Sequence, residues 1–85
     1  MDFHNIEREG LPKKSGRYFT INKRFDNTYL DITQFTTDLY KVDPYDFYMR
    51  KGKPGWYDYD SEAGYYEVDN VVAWAELPEV PEEYR

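Results

Sequence analysis

The chain has 85 residues, a formal net charge of −6, an aromatic content of 20% and no cysteine. That length fits a single domain over 1–85, with no room for a cofactor domain beside a substrate domain, and a chain this short buries only about 60–65% of its unfolded surface. Without cysteine there are no disulfides and no thiolate zinc sites, and no apolar run approaches the roughly 20 residues of a membrane span.

The first ten residues, MDFHNIEREG, lack the basic-then-apolar order of a secretion signal, so the expectation is a soluble protein of the host-cell cytoplasm, with 1–10 extended or mobile. After a Lys-Lys-Ser-Gly turn, GRYFTIN (16–22) mixes aromatic and β-branched residues and reads as a strand. Arg24, Phe25, Asp26 and Asn27 read as a hairpin loop. TYLDITQF (28–35) alternates, with Leu30 and Ile32 on one face and Tyr29, Asp31, Thr33 and Phe35 on the other. Helix evidence is confined to 38–48, which Pro44 interrupts, leaving Asp43 to cap a single turn. DFYMRK (46–51) reads as a short strand that stops at the Gly-Lys-Pro-Gly turn. WYDYD (56–60), a SEAG turn in which Gly64 supplies positive φ, and YYEV (65–68) form a second hairpin; VVAWAEL (71–77) follows as a last strand. The proline-broken tail, 79–85, should be extended or mobile. The fold class expected is mainly β: a small single antiparallel sheet of four to five strands with at most one short helical turn.

The two ends together resemble a family of small phage and prophage proteins of unknown function. Leu11, Pro12 and Gly16 match its opening Leu-Pro-x-x-x-Gly turn. Val71, Trp74, Leu77, Pro78, Glu79 and Pro81 match its closing Val-x-x-Trp-x-x-Leu-Pro-Glu-x-Pro motif, and Ala75-Glu76 stand where the family usually has Met-Pro. The resemblance implies a phage or mobile-element origin and a small β-rich fold. It implies no activity, and it gives the motif residues structural roles, with Trp74 as a core anchor.

Charge is unevenly spread. Residues 1–53 hold ten Lys/Arg and eight Asp/Glu, whereas 54–85 hold Arg85 alone against nine acids. An acidic half repels nucleic acid and attracts basic protein surfaces; it also keeps a tyrosine-rich domain in solution without any partner. Asp58, Asp60 and Glu62 have the i, i+2, i+4 spacing that opens a calcium loop, but Ala63 stands at the glycine position and Asp69 at the bidentate glutamate position, so no metal is expected. With one histidine, His4, and two serines, Ser15 and Ser61, no nucleophile and base assemble, and a non-enzyme without cofactors is expected. Lys13, Lys14, Arg17, Lys23 and Arg24 cluster with Tyr18 and Phe19, a pattern that can stack single-stranded bases; the overall acidity argues against direct nucleic-acid binding.

The leading expectation is therefore protein–protein binding through an acidic, tyrosine-rich surface of Trp56, Tyr57, Asp58, Tyr59, Asp60, Glu62, Tyr65, Glu67 and Asp69. In concrete form it is a DNA-mimicking, anti-CRISPR-like inhibitor of a basic host protein that handles nucleic acid. A homodimer burying the tyrosine face is compatible with it. The alternatives are an accessory phage protein without a ligand, and a protein that sequesters a nucleotide at an oligomer interface, with Arg17, Arg24 and Arg50 on the phosphates.

Overall fold

The computed structural model describes residues 2–85. Two long runs of alternating side chains, Gly16–Arg24 (β2) and Asn27–Thr36 (β3), pair antiparallel from Gly16 opposite Phe35 to Arg24 opposite Asn27. Phe25 and Asp26 alone turn the chain between them, Phe25 at φ 55. β3 passes to Gly55–Asp60 (β4), which forms a hairpin with Gly64–Val68 (β5); Gly64 takes φ 84 at the turn. Val71–Glu76 (β6) returns to the other side of β2, and His4–Asn5 (β1) pairs with β6. The result is one six-stranded antiparallel sheet in the order β1-β6-β2-β3-β4-β5. A bulge opposite Ile21 and Asn22 lets β6 slip by one residue and pushes Val72 outward.

The strand count exceeds the expected four to five because a two-residue strand has no period to read. Residues 1–10, expected to be extended or mobile, hold β1 and one helical turn, Ile6–Glu9 (α1), capped by the Asn5 side chain on the Arg8 N–H. The stretch DFYMRK is not a strand. Asp43 Oδ1 accepts the N–H groups of Tyr45 and Asp46, the Phe47 N–H donates to the Asp43 carbonyl, and Tyr48–Arg50 winds as a 3₁₀ turn. Upstream, Asp38 caps a short helix, Leu39–Val42 (α2), and the same Oδ1 accepts the Gly52 N–H at 2.8 Å, closing the excursion on itself. Several short helical turns thus replace the single one expected. The tail, read as extended or mobile, closes in a further 3₁₀ turn, Glu82–Tyr84.

Register divides the side chains between two faces. One face carries the core, where Tyr18, Phe35 and Trp56 meet edge to face at 5.0–6.5 Å, with Ile6, Leu11, Val68, Val71 and Trp74 packed around them. Such pairs contribute about 0.5–1.5 kcal/mol each beyond burial. In the middle of that face lies a polar chain: Thr20 is 0% exposed, Asn22 1% and Thr33 5%. The Thr20 hydroxyl donates to Asn22 Oδ1 at 2.7 Å, so the 2.8 Å contact with Thr33 must be donated by Thr33. Asn22 then donates to Asn70, and Asn70 to the Tyr29 hydroxyl. The opposite face carries Phe19, Ile21, Leu30, Ile32, Tyr57, Tyr59 and Tyr65, and the 37–53 excursion covers part of it through Leu39, whose side chain sits over Gly55.

Candidate functional site

The β4–β5 hairpin distributes the expected site residues by strand parity. Trp56 points into the core and is 5% exposed, so it offers no surface anchor, contrary to expectation. Tyr57 and Tyr59 lie on the opposite face with Tyr65, whose ring meets them edge to face at 5.9 and 5.0 Å. Tyr57 is half-buried and donates to Gln34 Oε1; burial, and secondarily Tyr65, raises its phenol pKa. Glu67 lies on this face as well and pairs with Arg50 at 3.4 Å. Two residues expected to meet different ligands therefore hold each other, in a solvated pair that contributes about 0–1 kcal/mol.

The acids Asp58 and Asp60 lie on the core side, beyond the edge of the core. Asp60 Oδ1 accepts the N–H groups of Ala63 and Glu62, which closes the turn and holds its carboxyl below the usual range. Glu62 is exposed in that turn and Asp69 is exposed after β5. Asp58 sits opposite Tyr66, a residue outside the expected set, and Asp58 Oδ2 accepts from its hydroxyl at 3.5 Å. The charge of Asp58 comes first in raising the Tyr66 phenol pKa, with smaller contributions from burial and from Asp60 and Asp31. Asp31 was also missed; it arrives from β3, and only the cross-strand register brings it near. Between these groups runs a cleft of about 200 Å³, walled by Tyr29, Tyr66, Asp31 and Asp58 and floored by Asn22 and Thr33. It presents half-exposed tyrosine rings and carboxylates over a floor whose hydrogen bonds are already made. Arg24 also lines it, beside Asp31, Asp58 and Asp69. Among the described residues no three of His, Asp and Glu form a group that could hold a metal ion.

The three arginines expected to hold phosphate do not converge within one chain. Arg17 and Arg24 stand on opposite faces of β2, about 23 Å apart along the strand, and Arg50 is engaged by Glu67.

A second concavity, of about 320 Å³, lies where the N-terminal arm crosses β6 and β2. It contains His4, which sequence reasoning placed in a mobile end; the capping signal at Asn5 was the clue available. No helix is long and apolar enough to cross a membrane. Neither a family model, nor a curated protein, nor a solved structure matches the chain.

Proposed function

We propose that the chain is a non-catalytic binding protein of phage or mobile-element origin. Its β3–β4–β5 acidic face engages the basic surface of a partner protein, as an inhibitor that stands in for nucleic acid. The carrying observation is the cleft in which the Tyr66 hydroxyl meets Asp58 Oδ2 and which Asp31 also lines, with the Tyr66 ring 46% exposed. Carboxylates spaced along neighbouring strands imitate a run of phosphates, and tyrosine supplies contact area at low entropic cost. Asp60 is committed to its turn, so the charge-reversal test uses Asp31→Lys with Asp58→Lys. The wild-type chain should capture a basic protein from nuclease-treated bacterial lysate and block that protein's binding to nucleic acid. The doubly reversed chain, with an unchanged thermal melt, should do neither. Inhibition that survives both reversals overturns the reading.

A further inference from the structure

The cleft at the N-terminal arm is framed by hydrogen bonds of His4, Tyr18 and Trp74. His4 faces Trp74 across the β1–β6 ladder, with ring centroids 4.4 Å apart and planes inclined by 37°. Glu9 Oε1 lies 3.1 Å from His4 Nδ1, and Glu9 Oε2 accepts the Asn5 N–H at 3.1 Å. That contact places the imidazole proton on Nδ1 and leaves Nε2 as an acceptor. The same contact, ahead of the Asn5 N–H, holds the Glu9 carboxyl below its ordinary range, so Glu9 is an anion committed to the arm.

Two aromatic side chains spend their polar atoms on the loop that follows. Trp74 Nε1 donates to the Gly10 carbonyl at 3.0 Å, and the Tyr18 hydroxyl donates to the Lys14 carbonyl at 2.7 Å. These bonds draw the 10–14 loop along the sheet and set Lys13 and Lys14 at the rim. Among the described residues neither lysine is ion-paired. With Glu9 engaged, Glu76 is the remaining carboxylate in the lining, set against two lysines. The floor is aromatic: Tyr18 and Trp74 meet edge to face at 5.3 Å. A volume of about 320 Å³ is within the range of small-molecule sites, about 300–1,000 Å³.

We propose that this cleft binds a small organic anion, a phosphate or carboxylate joined to a planar ring, with the anionic group between Lys13 and Lys14 and the ring against Trp74 and Tyr18. Cations that carry no ion pair attract the anion, and the aromatic floor accepts a flat apolar group. The site is separate from the acidic face, and its failure would leave the protein-binding proposal standing.

The test is a titration of the full isotope-labelled chain, read at the His4 imidazole and Trp74 indole resonances. Phenyl phosphate and benzoate are the probes, with inorganic phosphate and benzylamine as comparisons. At least one of the two ring-bearing anions should shift both residues to saturation with a Kd of about 1 mM or tighter, and the better of the two identifies the anionic group. Lys13→Ala with Lys14→Ala should weaken binding about tenfold without moving the thermal melt. Resonances unmoved by both anions, equal binding of benzylamine, or undiminished binding by the double variant each overturn the assignment. Equal affinity for inorganic phosphate overturns the role of the ring.

Discussion

Thr20→Val is a sharp test of how the core face is organised. The substitution keeps the shape of a side chain that is 0% exposed and deletes only its hydroxyl. Two partners are then orphaned: Asn22 Oδ1, which accepted at 2.7 Å, and the Thr33 hydroxyl, which donated at 2.8 Å. Each buried polar group left unpaired costs about 1–3 kcal/mol, so the loss should be about 2–6 kcal/mol. A domain of this length has about 4–13 kcal/mol in all. With about 4–8 °C of Tm for each kcal/mol, the melt should fall by about 8 °C or more. Urea denaturation followed by tryptophan fluorescence measures the same loss as a lower midpoint at unchanged slope. Adding Thr33→Val removes one of the two orphans, so the double variant should be no less stable than Thr20→Val alone. A loss below about 0.5 kcal/mol, or a double variant that loses a second full increment, would refute the directional chain.

Two further outcomes follow from local geometry. A Cβ on Gly55 would stand 2.7 Å from Leu39 Cδ1 and 3.2 Å from its Cγ, and Leu39 is 1% exposed; Gly55→Ala should therefore cost about 1–3 kcal/mol, and pairing it with Leu39→Ala should cost less than the two losses added, as read by denaturant midpoints. The Asp60 carboxyl is held low by the Ala63 and Glu62 N–H groups, so its contribution is fully present above the unfolded carboxylate range and is lost as pH falls through the lower folded value. Asp60→Asn keeps an acceptor but not the charge, and its stability measured from neutral to acid pH should fall less steeply than that of the wild type.

The hairpins and the last strand were legible because alternation and turn residues agree. β2 and β3 were expected over 16–22 and 28–35 and run two residues further at most, and β4, β5 and β6 match to within one residue at each end. The 46–51 stretch misled because Phe and Tyr favour strands, whereas Asp38 and Asp43 spend their side chains on backbone N–H groups there. Trp56 was misread as a surface anchor because parity puts it on the face of Asp58 but does not say where along that face the core ends. Asp31 and Tyr66 were legible as residues of their strands; their meeting is a property of register between strands distant in sequence. His4 was overlooked because a lone histidine near a chain end carries no pattern until β6 supplies its neighbour.

The strand order leaves β5 with no partner on its outer side, and β5 is five residues of bare edge. An edge of that kind is a template on which another chain can add. Asp58, Asp60, Glu62, Glu67 and Asp69 surround it, so two copies approaching edge to edge meet as like charges. The acids proposed for recognition also oppose the joining of neighbouring sheets into a ribbon. Below the carboxylate range that repulsion falls away, and one β5 becomes the place where the next can begin.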